Sequence, residues 1–69
     1  MKLYTLIGTR IRLEPCISSL VTKMYVTKDL ELKLVAQEKK DDGLWFYISE
    51  GNNKGWVRFD FVKRIYDDE

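Results

Sequence analysis

The 69-residue chain has no histidine, one cysteine, one proline and four glycines. Without histidine it lacks the commonest general base, metal ligand and catalytic-triad partner. Cys16 has no second cysteine for an intramolecular disulfide, although secreted domains of this size usually carry paired cysteines. No apolar run approaches the roughly 18 residues that suggest a membrane span. These absences predict a protein without a cofactor, a metal site or a membrane segment.

Other constellations needed for catalysis are missing as well. The acidic pairs Asp41-Asp42 and Asp67-Asp68 lie in a predicted turn and near the C-terminal end, whereas glycosidases hold their two acids in a cleft. The sequence has no glycine-rich phosphate loop with lysine and serine or threonine, and no segment with the ligand count of a calcium loop. Cys16 has no neighbouring base to activate it. We therefore expect no enzymatic activity.

The composition is typical of one small globular domain. A hydrophobic content of 45% and a charged content of 33% argue against disorder. The domain is predicted to cover residues 1–66, followed by an acidic tail at residues 67–69. The uncharged run of residues 3–7 is shorter than the apolar region of about 7–15 residues in a signal peptide. Together with the unpaired cysteine, this predicts a cytoplasmic location.

The net charge of +1 conceals an uneven distribution. Residues 1–28 carry five basic and one acidic side chain, whereas residues 29–69 carry seven basic and ten acidic ones. Opposed charge patches steer a charged partner. The alternative is an ordinary solvated surface with an acidic end that aids solubility.

Short β-prone runs separated by turn residues occupy most of the chain. The clearest is residues 43–57, where two aromatic runs flank a polar turn at residues 49–55 and so indicate a β-hairpin. A loop is predicted at residues 16–22 and a charged turn at 38–43. A tight helical turn is predicted at 58–61. The predicted strands are 2–7, 10–13, 23–27, 30–37, 44–48, 56–57 and 62–65. Strands at this spacing indicate an all-β sandwich or barrel.

The order of these signals resembles the bacterial Src-homology-3-like (SH3-like) domain family. The matching segments are Ile11-Arg12-Leu13-Glu14-Pro15, Met24 to Asp29, Leu32 with Leu34, Gly43-Leu44-Trp45-Phe46, Gly55-Trp56-Val57 and Phe61-Val62. Glu14 and Asp29 stand where the family usually has glycine. The resemblance covers about residues 9–65 and implies an all-β, five- to six-stranded SH3-like barrel without a catalytic centre. It also implies a binding surface between the loop at 16–22 and the turn at 38–43.

Some of the aromatic side chains are expected in the core and others at the surface. In a strand, Trp45 and Tyr47 share one face while Phe46 and Ile48 share the other, so one pair belongs to the core. The resemblance implies that Trp45 lies partly buried across the barrel mouth. Tyrosine keeps a polar tip for the wet side of an interface, which favours Tyr25 and Tyr47 as binding residues. The predicted partner-binding set is Tyr25, Trp45, Tyr47, Arg58, Lys23 and Asp42.

Three binding functions follow as hypotheses. The leading one is an intracellular protein-binding regulator or inhibitor, of the class that phages and mobile elements encode against a host protein. The second is targeting of peptidoglycan peptide, which the resemblance implies for many family members. The third is nucleic-acid binding, with exposed aromatics beside a cationic track formed by Arg10, Arg12, Lys23 and Lys28. The near-neutral net charge argues against the third.

Overall fold

A computed structural model describes residues 1–66 and shows an all-β protein. The strands are β1 Lys2–Thr5, β2 Arg10–Arg12, β3 Val21–Met24, β4 Glu31–Lys40, β5 Gly43–Glu50, β6 Asn53–Arg58 and β7 Val62–Ile65, with a 3-10 helix at Phe59–Phe61. Among these 66 residues no helix is long and apolar enough to cross a bilayer. The all-β prediction is confirmed. The acidic tail predicted at residues 67–69 lies outside the described residues.

The seven strands form one antiparallel sheet in the order β3-β2-β6-β5-β4-β1-β7. The count of five or six strands that the resemblance implied is wrong, whereas the seven β-prone segments of the sequence each overlap a strand. Within residues 1–66 the two edge strands, β3 and β7, do not pair with each other, and the sheet is therefore open. In β4 the pairing with β5 shifts register between Leu34 and Ala36. Such a bulge bends the strand and increases its twist.

The core lies on the inner face of this bent sheet. Its buried residues are Leu3, Ile11, Tyr25, Leu32, Phe46, Ile48, Val57 and Val62. Val62 lies in β7, the last strand of this order, and Ile11 lies in β2, the second strand, so the sheet must curl strongly to bring them into one cluster. The buried Thr9 hydroxyl bridges the same two regions. It accepts a hydrogen bond from the backbone N–H of Leu6 at 2.8 Å and donates one to the carbonyl of Phe61 at 2.6 Å.

Four predicted boundaries are wrong. The first strand was predicted to reach residue 7, but β1 ends at Thr5. β4 continues to Lys40, so most of the charged segment 38–43 is strand. β5 and β6 extend into the predicted turn at 49–55 and leave only Gly51 and Asn52 between them. β3 covers Val21–Met24 and not residues 23–27. In β4 and in the β5–β6 hairpin, pairing with a neighbouring strand satisfies the backbone of polar residues that local propensity alone assigns to turns. The 3-10 helix and β7 lie where the sequence predicted them.

Candidate binding face and basic groove

The face of the sheet that points away from the core carries aromatic and basic side chains. Tyr47 pairs with Trp56 and Trp45 pairs with Arg58. Since side chains alternate along a strand, these residues lie opposite the buried Phe46. We call this surface the outer face. It comprises Arg10, Arg12, Lys33, Glu38, Trp45, Tyr47, Lys54, Trp56 and Arg58.

The outer face is basic although the whole chain is nearly neutral. Its acidic residue, Glu38, lies 3.4 Å from Lys40. Neither Arg10 nor Arg12 has a carboxylate within 4.0 Å among residues 1–66. Arg12 Nη1 instead donates to the carbonyl oxygen of Ser19 at 3.1 Å. The positive charge of both arginines therefore remains available to a partner.

Tyr47 and Trp56 form an aromatic pair at the centre of this face. Their ring centroids are 5.2 Å apart, with the ring planes tilted by 55°. Both side chains are half-buried, so part of each ring faces solvent. Arg12 is the cross-strand neighbour of Trp56, and Lys54 precedes it on the same face. A packed aromatic pair loses little rotamer freedom on binding, which suits it to serve as an anchor.

A polar cluster around Trp45 and Arg58 ends the outer face. Trp45 is 1% exposed, and its Nε1 donates to Asp42 Oδ1 at 2.9 Å. Arg58 has Nη1 at 4.0 Å from Asp42 Oδ2 and Nε at 3.2 Å from Asp60 Oδ1. The Nε contact is an ion pair that is not aligned as a hydrogen bond. The expected partial burial of Trp45 is wrong, because Asp42 satisfies its N–H and the ring is covered.

Tyr25 and Lys23 lie apart from the other predicted site residues. Tyr25 is 5% exposed and belongs to the core, with its hydroxyl donating to Glu50 Oε1 at 3.0 Å. Burial, reinforced by the hydrogen bond to Glu50 and its negative charge, raises the pKa of Tyr25 to about 12. Lys23 Nζ lies 5.1 Å from the centroid of the Tyr25 ring. In this conformation the ring of Tyr25 packs in the core and presents no surface to a partner.

A groove opens where the outer face meets the β1–β2 loop and the 3-10 helix. Its volume is about 270 Å³, slightly below the range of about 300–1,000 Å³ typical of small-molecule sites. We call it the basic groove. The residues that matter to its chemistry are Leu6, Ile7, Phe61, Arg10, Arg12 and Arg58. No carboxylate among residues 1–66 lines it, and Ile7 is 72% exposed.

Sequence reasoning found only part of this groove. It named Arg58 as a partner-binding residue and gave Arg10 and Arg12 a binding role only in a nucleic-acid track. It missed the apolar contribution of Leu6, Ile7 and Phe61. The alternation Arg10-Ile11-Arg12 does place both arginines on one face. No local pattern shows that the 3-10 helix folds against the β1–β2 loop, because that approach depends on the long-range hydrogen bond from Thr9.

The surface implied by the SH3-like resemblance is a second, shallower depression. Pro15, Cys16 and Ile17 face residues 39–42 across it. The exposed Cys16 Sγ lies 3.0 Å from Ser18 Oγ, and hydrogen bonding to Ser18 lowers the pKa of the Cys16 thiol. Over residues 1–66 no group of three or more histidine, cysteine, aspartate or glutamate side chains is placed to hold a metal ion.

No protein-family model, no curated protein and no solved structure gives a significant match to this chain. The outer face and the basic groove are therefore the features that point to a function.

Proposed function

We propose that the protein is a non-catalytic protein-binding module whose outer face docks a partner. The observation that carries this proposal is the packed Tyr47–Trp56 pair, half-exposed and flanked by Arg12 and Lys54. Tyrosine, tryptophan and arginine are the residues most enriched at the energetic centres of interfaces. The aromatic pair would anchor the partner, while the surrounding charges set its orientation and association rate.

We further propose that the curled sheet is an SH3-like barrel. Two observations support this. The second and the last strand of the strand order, β2 and β7, share one core, and Thr9 connects the start of β2 to the 3-10 helix at the start of β7. Both are expected of a strongly bent small barrel, in which distant parts of one sheet approach each other.

We also propose that the module acts in the cytoplasm as a regulator or inhibitor, the class that includes phage and mobile-element proteins directed at a host protein. The exposed, unpaired thiol of Cys16 supports a reducing compartment, because secreted domains of this size usually pair their cysteines. The alternative of peptidoglycan targeting stays a prediction from the resemblance alone.

The test is capture of a partner from a lysate of the native cell, followed by affinity measurements with variants. Tyr47→Ala and Trp56→Ala are each expected to weaken binding about tenfold or more, as interface anchors do. Tyr66→Ala is the matched control, because Tyr66 is 63% exposed and outside the outer face. Circular dichroism would confirm that each variant folds. Unchanged affinity in both outer-face variants would refute the assignment. Tyr25→Ala is not suitable here, because its ring is part of the core.

Single-stranded nucleic acid is the second candidate, since base stacking on exposed aromatics beside basic side chains is a common binding mode. The outer face has both features. The net charge of +1 works against it, because phosphate affinity depends on clustered positive charge. Binding of a labelled oligonucleotide at low salt, weakening steeply as salt is added, would support this candidate. Absence of binding at low salt would remove it.

A further inference from the structure

We infer that the basic groove binds an acidic segment of the protein partner, with one bulky apolar side chain seated in the groove and carboxylates on its arginines. This inference rests on the proposed function, because it specifies which chemistry the partner presents. It extends the docking surface beyond the aromatic pair to the end of the sheet at which β2, β6 and the 3-10 helix meet.

Charge complementarity is the first argument. Arg10, Arg12 and Arg58 converge on a groove that no carboxylate of residues 1–66 lines, and Arg10 and Arg12 have no ion-pair partner there. Arg58 is already paired with Asp42 and Asp60, so the unbalanced positive charge of the groove is that of Arg10 and Arg12, which a bound carboxylate would neutralise. Guanidinium groups bind carboxylates in a bidentate geometry.

The apolar wall is the second argument, and it selects a peptide over a nucleic acid. Leu6, Ile7 and Phe61 are 38%, 72% and 43% exposed, which leaves apolar surface uncovered beside the arginines. A volume of about 270 Å³ holds one or two side chains. Two of the three side chains in this wall, Leu6 and Ile7, are aliphatic and offer no flat ring for base stacking. A leucine or phenylalanine side chain of a peptide packs well against them. A phosphodiester chain supplies the charge but not the apolar group.

The groove is also held in place before any partner arrives. The β1–β2 loop is fixed by the hydrogen bonds of the Thr9 hydroxyl. The backbone N–H of Gly8 adds a bond to the carbonyl of Tyr25 at 2.8 Å. A preformed site avoids the entropic cost of ordering a loop on binding. This loop therefore presents Leu6 and Ile7 in a defined position.

The experiment uses the full chain and a short fluorescein-labelled peptide in which one leucine is flanked on both sides by glutamates and aspartates. Fluorescence anisotropy at low salt measures its affinity. We expect binding, about fivefold weaker binding when serine replaces the leucine, and none when lysines replace the acidic residues. Equal affinity for the leucine and serine peptides would overturn the seated side chain. If an unlabelled oligothymidylate binds more tightly and displaces the acidic peptide, the nucleic-acid alternative replaces the inference.

Variants locate the site. Arg10→Glu and Ile7→Ser are each expected to weaken peptide binding about tenfold. Lys2→Glu and Ile65→Ser are the controls, because they make the same chemical changes at a β1–β7 residue pair, about 13 Å along β1 from the groove. Equal losses in the groove variants and the controls would overturn the inference.

The same variants separate this inference from the proposed function. If a captured partner is lost with Tyr47→Ala and Trp56→Ala but retained with Arg10→Glu and Ile7→Ser, the groove inference fails and the proposed function stands. If none of the four variants changes capture, both fail.

Discussion

Replacement of Gly55 by alanine tests the close approach of β2 to β6, on which both the core and the outer face depend. A methyl group at Gly55 would overlap Cγ2 of Ile11 and lie 2.7 Å from the carbonyl oxygen of Arg12. Ordinary carbon contacts are about 3.5–4.0 Å, so β2 would have to move outward by about 1 Å. Ile11 is fully buried and the second contact is with backbone, so neither can rotate away.

The expected cost is at the upper end of the range for overpacking, about 3 kcal/mol. A domain of 69 residues has a total stability of about 3–10 kcal/mol, so Gly55→Ala removes a large part of it. The melting temperature should fall by about 10 °C or more. Urea denaturation followed by tryptophan fluorescence gives the free energy of unfolding.

The matched control for this prediction is Gly51→Asn. Gly51 has φ 61° and open space around its Cβ position, and asparagine tolerates the left-handed region. Its free energy of unfolding should fall by less than about 1 kcal/mol. A loss below about 0.5 kcal/mol for Gly55→Ala, or a larger loss for Gly51→Asn, would refute the reasoning about the β2–β6 contact.

Three further predictions concern stability. Thr9→Val should lower the free energy of unfolding, measured by chemical denaturation, by about 2–3 kcal/mol. The substitution leaves the carbonyl of Phe61 and the N–H of Leu6 without their hydrogen-bond partner. Thr9→Ser should lose much less stability, and equal losses would contradict the role of the Thr9 hydroxyl. The pKa of Tyr25 is about 12 in the folded state and about 10 in the unfolded chain. The contribution of this shift to the free energy of unfolding is therefore complete below pH 10 and is lost between pH 10 and 12. In alkaline denaturation, Tyr25→Phe should lose stability less steeply over this range, and identical profiles would contradict the prediction. Asp29→Gly should raise the free energy of unfolding by about 0.5 kcal/mol and so raise the melting temperature slightly. Asp29 has φ 66°, which strains the backbone of a residue other than glycine, and its exposed contact with Lys63 at 3.8 Å is worth little. A destabilised variant would show that this contact outweighs the strain.

The fold class was predictable because the strands carry local signals. Leu32 and Leu34 alternate with charged residues, and the structure places Leu32 in the core with Leu34 packed against it. The 3-10 helix and β7 also followed from local pattern. Strand ends did not follow, because the polar end of β4 is held by its pairing with β5, an interaction that no local propensity encodes.

The candidate site was predictable only in part. Alternation correctly placed Trp45 and Tyr47 on one face, opposite the buried Phe46. The burial of Tyr25 could not be read from its neighbours, because its ring packs in a core built from strands that are remote in sequence. The basic groove likewise requires segments that are far apart in sequence. Local sequence patterns do not predict contacts between segments that are remote in sequence.

The most direct test of the central claim, that the outer face and the basic groove hold an acidic peptide, is an NMR titration of the ¹⁵N-labelled protein. The acidic leucine-containing peptide is added stepwise while amide and indole signals are followed. The account predicts that the largest shifts occur at the Trp56 indole, at residues 6–12 and at residues 58–61, with little change at residues 63–66. Shifts confined to residues 63–66, or no shifts at millimolar peptide, would contradict it.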